Sequence, residues 1–374
     1  MITDRRRLLR ALAAAPALAA MPGLALARTR SAEADAVLDQ VFAAQAPPAL
    51  AAGVVGKDGV IWSGVRGMRQ AGGTDPATLQ DRWHLGSNTK AMTAALFARL
   101  VEQGRASWDM TVAQAFPDLT LDPAWRDVKL TRLMHHRAGL ADASVIGREW
   151  LMTARGDPAS LPEQRKAIAA AAFAVPPAGA PGAFAYGNAN YIVLGAAIEA
   201  ITGQSWENAM RAQVFQPLGL ASAGFGPPPS PNAWGHRPGP TPIDPTNPGA
   251  DNPLALGPAG TVHMTLDDYA RFVRVFLKDG DGWLSPASIT TLTTPGEGEG
   301  PTYACGWIVR EQPWGGVGGP GVVLGHEGSN TMWHAMVLLA PARGTAVIAL
   351  SNDGQAGRAA VQALGPALVP VAFP

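Results

Sequence analysis

The 374-residue chain holds one cysteine, Cys305, so it has neither an internal disulfide nor a cysteine-built metal site. It has no surplus of charge. Its 29 basic and 29 acidic residues cancel, leaving no broad basic field for nucleic acid or for an anionic membrane surface. Beyond the N-terminus no apolar run is long enough to span a bilayer. Two hydrolase signatures are also missing. No Gly-x-Ser-x-Gly occurs, which excludes the nucleophile elbow of the α/β-hydrolases. No His-Glu-x-x-His occurs either, and the adjacent His135 and His136 lack a partner at ligand spacing. His135, His136, His236, His263 and His326 therefore make a poor metal set. Lysine is scarce: of Lys57, Lys90, Lys129, Lys166 and Lys278, only Lys90 has a serine three residues before it.

What is present begins with an address. DRRRLLR, Asp4 to Arg10, precedes a small apolar run from Ala11 to Ala20, and Ala25-Leu26-Ala27 offers a small-residue cleavage site. The arginine pair followed by two leucines and an arginine resembles a twin-arginine signal. Residues 1–27 are expected to be removed on export, leaving 28–374 to work in the periplasm or outside the cell. At 47% hydrophobic, the chain can fill a large core in one domain or two intimate ones.

ALAAGVVGKDGVIWSGVRG reads as two strands around a Lys57-Asp58-Gly59 turn, after a short helix at Leu38 to Phe42. The middle is helical. Ala91, Ala94, Phe97, Ala98 and Val101 recur at helix spacing with Gly104 as a stop; VKLTRLMHHRAGL, PEQRKAIAAAAFAV, YIVLGAAIEAITG and LDDYARFVRVFLKDG follow. Strands return in YACGWIVR, GVVLGHEG, TMWHAMVLLAP and GTAVIALS, and a last helix is expected roughly from Gln355 to Leu364. The fold class is therefore α/β in the α+β sense. An antiparallel sheet built from N- and C-terminal strands, approximately 32–85 and 295–374, is flanked by helices and carries a large helical insertion over 86–294. The proline-rich GPPPSPNAWGHRPGPTPIDPTNPGADNP suits neither helix nor interior strand; with Trp234 and Ile243 in it, an ordered loop over the cleft is expected.

Three short elements carry chemistry. Ser87 sits where the first long helix begins, and residues three apart share a helix face, so the Ser87 hydroxyl and the Lys90 amine can meet. A serine attacks only once a neighbour takes its proton, which a lysine does when burial and dipoles lower its pKa. Tyr186-Gly187-Asn188 is the chain's one Tyr-x-Asn; its phenol can share a proton with a lysine, and Asn188 can orient that lysine or hold a substrate carbonyl. In His326-Glu327-Gly328-Ser329, Gly328 lets backbone approach a ligand, the Ser329 amide can stabilise an oxyanion, and His326 can support the tyrosine.

In this order and context, HLGSNTKAMTA, LMHHRAGL, FAYGNANYIVLG, LGPAGTVHMTLDDYARF, YACGWIV and GHEGSN resemble the serine penicillin-recognising enzymes over nearly the whole chain after the leader. Within that group they are similar to class C β-lactamases and the related D-alanyl-D-alanine carboxypeptidases, esterases and D-aminopeptidases. The resemblance implies a β-lactamase/transpeptidase-like fold, with Ser87 acylated and Lys90 and Tyr186 as the proton-handling pair. It makes Asn188 a partner of substrate and lysine, and puts His326 where many relatives have lysine. The amides of Ser87 and Ser329 would hold the oxyanion, and no metal or organic cofactor is required.

One motif departs from the family pattern. Lys-Thr-Gly is replaced by His-Glu-Gly, and a Glu327 carboxylate facing the cleft would repel a substrate carboxylate by roughly 1 kcal/mol in wet surroundings. That turns the expectation from β-lactams toward esters, or amides and peptides with a neutral or amino end, unless strand alternation sends Glu327 to the far face. The chain reads as a serine hydrolase of a small-molecule or peptide-like ester or amide. The alternatives are a catalytically weak penicillin-binding or sensor-like protein, or a true β-lactamase or D-alanyl-D-alanine carboxypeptidase.

Overall fold

The computed structural model describes residues 22–180 and 182–373. The expected leader lies outside them, except for residues 22–27 at the start of a helix. Strands β1 (Ala49–Gly56) and β2 (Gly59–Gly67) form the hairpin expected around Lys57-Asp58-Gly59. A short strand, β3 (Arg82–His84), precedes the helical middle, and four more, β4 (Gly224–Phe225), β5 (Gly235–Arg237), β6 (Thr241–Ile243) and β7 (Val262–Thr265), interrupt it. Strands β8 (Ile308–Gly316), β9 (Gly319–Ser329), β10 (His334–Ala340) and β11 (Thr345–Ser351) follow. The first hairpin and the last four strands make one antiparallel sheet in the order β2-β1-β11-β10-β9-β8, with Val54 opposite Val347. Strands from both ends of the chain thus close one sheet, as the pattern of apolar runs predicts.

The long helices are α1 (Pro22–Gln45), α2 (Thr89–Glu102), α3 (Leu161–Phe173), α4 (Asn188–Thr202), α5 (Leu266–Leu277) and α6 (Ala356–Ala372), of which α1 and α6 cover one face of the sheet and α5 lies on the other. Side-chain alternation along the strands feeds two cores. Ala49, Ala51, Val337, Leu339, Ile348 and Leu350 face the helical middle. Leu50, Ala52, Met336, Val347 and Ala349 face α1 and α6 through Leu38, Val361 and Leu364. With both faces covered, β1 and β11 read as near-continuous apolar runs, and each buried Val or Leu contributes roughly 1.5–3 kcal/mol. Helix α2 is enclosed on nearly all sides, Met92, Leu96, Phe97 and Leu100 being fully buried, so its first turn is held rigidly.

Three local departures from the expected elements stand out, while the proline-rich stretch is ordered as expected. α1 and α6 outrun Leu38–Phe42 and Gln355–Leu364: α1 packs on the sheet from Ala34 to Phe42, and α6 runs on through Pro366 and Pro370 because Leu364, Leu368 and Phe373 stay buried against it. YACG turns back on the strand that follows it: Tyr303 makes a single antiparallel bridge with Ile308, Ala304 N–H donates to Trp307 O, and the strand itself starts only at Ile308. LMHHRAGL is helical only to Met134, because His136 takes the left-handed φ of 56°. The proline-rich stretch is an ordered loop pinned by the buried His236, whose Nδ1–H donates to Asn352 O at 2.7 Å while its Nε2 accepts from Ala71 N–H at 2.9 Å. Among the described residues no helix is long and apolar enough to cross a membrane.

Candidate active site

Ser87 occupies a 3-10 turn, Gly86–Asn88, that runs into α2. Gly86 has φ +51°, and a Cβ there would sit 2.3 Å from Ser329 N; a Cβ on Gly328 would sit 2.6 Å from Ser87 N. The Ser87 turn and the end of β9 are therefore in backbone contact, which only glycines permit, and the amides of Ser87 and Ser329 lie close together.

One turn on, Lys90 is fully buried. Its Nζ lies 3.0 Å from Ser87 Oγ, 2.8 Å from Asn188 Oδ1 and 2.9 Å from Ala259 O. Helix spacing delivers the first contact, and the second follows because Asn188 is the first residue of α4. The third comes from a short turn that Thr93 anchors by donating to Pro258 O at 2.7 Å. A buried amine is costly unless its protons are engaged, and here three acceptors surround it. Nζ donates to all three: the Ser87 hydroxyl, the Asn188 side-chain carbonyl and the Ala259 backbone carbonyl.

Tyr186 lies across this group, with Lys90 Nζ 5.0 Å from its ring centroid. Of the four tyrosines it is the exposed one, at 46%, whereas Tyr191, Tyr269 and Tyr303 are buried and their hydroxyls pushed up in pKa by that burial. His136 packs on the Tyr186 ring at 4.5 Å and accepts from Gly187 N–H through Nδ1 at 3.4 Å, fixing the loop that presents the phenol. Burial, with the Lys90 charge as the next cause, holds the pKa of His136 well below the usual imidazole range.

His326 and Glu327 part ways. His326 is buried on the Tyr186 side, 6.3 Å ring to ring. Its Nδ1 lies 2.6 Å from Glu327 O, a pure acceptor, so Nδ1 carries the proton and Nε2 accepts from the Tyr303 hydroxyl at 2.9 Å. Burial and then Lys90 push its pKa down to about 3, so at neutral pH it is uncharged. Glu327 corrects the expectation of a cleft carboxylate. Strand alternation turns it to the α6 face, where Oε2 accepts from His334 Nε2 at 2.8 Å and Gln362 Nε2 at 2.9 Å. The charge repulsion expected from it therefore does not act in the cleft.

Among the described residues no group of three or more His, Cys, Asp or Glu side chains could hold a metal. His135 contacts the buried Cys305 at 3.5 Å, while His236 and His263 bond to backbone carbonyls elsewhere. Sequence reasoning passed over Tyr303 and over His136 as a support for Tyr186. Tyr303 opens YACGWIV and His136 lies in LMHHRAGL, but neither stretch states which side chain turns inward.

The chain matches the Beta-lactamase family model over residues 34–368. It is 30% identical over 328 residues to "Penicillin-binding protein 4" of Amycolatopsis lactamdurans, covering 80% of this chain and 79% of that protein. It is 26% identical to an unguisins hydrolase of Aspergillus campestris, over 78% of this chain and 56% of that one. Two solved structures share the fold. A β-lactamase from Sulfitobacter sp. EE-36 has TM-score 0.73 at 21% identity, over 92% of this chain and 99% of its own. A D-stereospecific amidohydrolase from Streptomyces sp. has TM-score 0.69 at 22% identity, over 89% and 98%.

Proposed function

This chain belongs to the β-lactamase family, and we propose that within it the protein is a serine hydrolase that cleaves an ester or amide through an acyl-enzyme on Ser87. The observation that carries this reading is the buried Lys90 Nζ, placed 3.0 Å from Ser87 Oγ and 2.8 Å from Asn188 Oδ1 beneath the exposed ring of Tyr186. Relatives named as hydrolase and amidohydrolase support it.

Ser87 Oγ attacks the substrate carbonyl carbon as its proton passes to Lys90 or to a Tyr186 phenolate. The oxyanion is received by the amides of Ser87 and Ser329, and the same proton goes to the leaving oxygen or nitrogen as the tetrahedral adduct collapses. Water then repeats the sequence on the acyl-enzyme. Asn188 keeps Lys90 aimed at Ser87 throughout.

The substrate class proposed is supported by His326. An uncharged imidazole on the site face of β9 gives a substrate carboxylate no cation to pair with, which favours acyl donors with a neutral or amino end. The preference thus rests on His326 rather than on Glu327. The arginine-rich N-terminal segment supports action outside the cytoplasm.

A panel of p-nitrophenyl acetate and butyrate, D-amino-acid p-nitroanilides and nitrocefin tests the reading with wild type and Ser87→Ala. Esters or anilides should be turned over faster than nitrocefin, and Ser87→Ala should lose about a thousandfold or more. Wild-type rates in Ser87→Ala would reject Ser87. A fluorescent penicillin that labels Ser87 without any turnover of the panel would make the protein a binder.

A further inference from the structure

We propose that Asp251 is a positioning residue that holds the two halves of the oxyanion hole together, acting through His84 on one side and Asn330 on the other. The proposal rests on Ser87 being the nucleophile and on the Ser87 and Ser329 amides receiving the oxyanion.

Asp251 comes from the end of the proline-rich loop and is buried, as are His84 and Asn330. Its two oxygens serve different segments. Oδ2 lies 2.9 Å from His84 Nε2, while Oδ1 accepts from Asn330 Nδ2 at 2.7 Å and from Asn252 N–H at 2.7 Å. A carboxylate oxygen already serving as acceptor assigns the imidazole proton to Nε2 and leaves Nδ1 as an acceptor. Nδ1 is 3.2 Å from Gly86 N, the amide immediately before Ser87.

The other arm ends next to the partner amide. Asn330 follows Ser329, and its Oδ1 accepts from the N–H groups of Met332 and Trp333 at 3.1 Å each. Ser329 Oγ donates to Trp333 O at 2.6 Å, and the Trp333 ring packs 5.5 Å from His84, so the two arms also touch directly. From the helical side, the Arg155 guanidinium donates to the Asp251 carbonyl at 2.6 and 3.2 Å. One carboxylate thus ties Gly86, the residue before the Ser87 donor, and Asn330, the residue after the Ser329 donor, into a single frame. Donor placement matters at this scale: losing one oxyanion donor costs about 10²–10³ in kcat, and a displacement of about 1 Å costs about a hundredfold.

Asp251→Asn keeps the shape but sets an N–H against groups that are already donors, or forces His84 into the other tautomer and so releases Gly86. With p-nitrophenyl butyrate, kcat should fall about 10–100-fold while KM stays within about threefold. The affinity for phenylboronic acid, whose tetrahedral adduct on Ser87 mimics the oxyanion, should fall in parallel. His84→Gln is the second variant, and the same pattern is expected of it. Unchanged kcat and boronate affinity in a folded variant overturns the proposal, as does a kcat loss that leaves boronate affinity intact. Failure of both variants to fold makes the cluster a folding element and also overturns it. Turnover that survives Ser87→Ala in the otherwise wild-type protein rejects the nucleophile reading instead, so the two failures are separable.

Discussion

Adjacent on β9, His326 and Glu327 face opposite sides of one sheet and meet opposite fates. On the helical side His326 is buried between Tyr303 and the Lys90 group, and it is uncharged because burial, then the lysine, opposes its protonation. On the α6 side Glu327 stays half-exposed; the His334 hydrogen bond holds its carboxyl below the usual range. The pleat, not the residue type, decides which of two neighbouring titratable groups belongs to the chemistry. It also separates a face built to aim protons from a face built to dock a helix.

Substitutions on the two faces should therefore differ by orders of magnitude. The largest effect is expected from Lys90→Met or Tyr186→Phe, each slowing acylation at least about a hundredfold in the pre-steady-state burst with p-nitrophenyl butyrate. Fast acylation in both would place the base elsewhere. His326→Ala comes next. The Tyr303 hydroxyl loses its acceptor inside the protein, so about 1–3 kcal/mol of stability to urea and about tenfold in kcat should go.

His326 also makes an acid-side prediction. Its folded pKa, about 3, lies below the unfolded value near 6.5. The unfolded chain therefore takes up the proton first, and stability falls as pH drops from 7 to 5, by about 2 kcal/mol from this one group. His326→Ala should flatten that part of the pH profile; an unaltered slope would assign it to other groups. The smallest effect belongs to the far face. Glu327→Gln should change kcat/KM by less than about twofold on every substrate the wild type turns over. It should cost at most about 1 kcal/mol near neutrality. Because the Glu327 pKa is lowered in the fold, that cost should disappear as pH falls through the carboxylate range. A larger change on anionic substrates alone would return Glu327 to the cleft.

The meeting of Ser87 and Lys90 was legible in the sequence because it is local, a helix start with its i+3 neighbour; that Asn188, 98 residues further on, meets Lys90 was implied only by the family resemblance. The sheet was legible for a similar reason, as apolar runs of strand length recur at both ends. The facing of Glu327 was not, since a run such as GVVLGHEGS, apolar on both faces, gives no parity from which to read inside and outside. Nor was the link between His84 and Asp251, which are 167 residues apart and meet only through the fold. The full length of α6 was hidden too, since packing of Leu364 and Leu368 on the sheet carries it through two prolines.

The central claim, an acyl-enzyme on Ser87, is tested most directly by quenching the protein in acid during p-nitrophenyl butyrate turnover and mapping the adduct by peptide mass spectrometry. A butyryl group should be found on the peptide bearing Ser87 in wild type, at higher occupancy in a variant slowed in deacylation, and absent from Ser87→Ala. Butyryl on another residue, or steady turnover by Ser87→Ala at the wild-type rate, would contradict it.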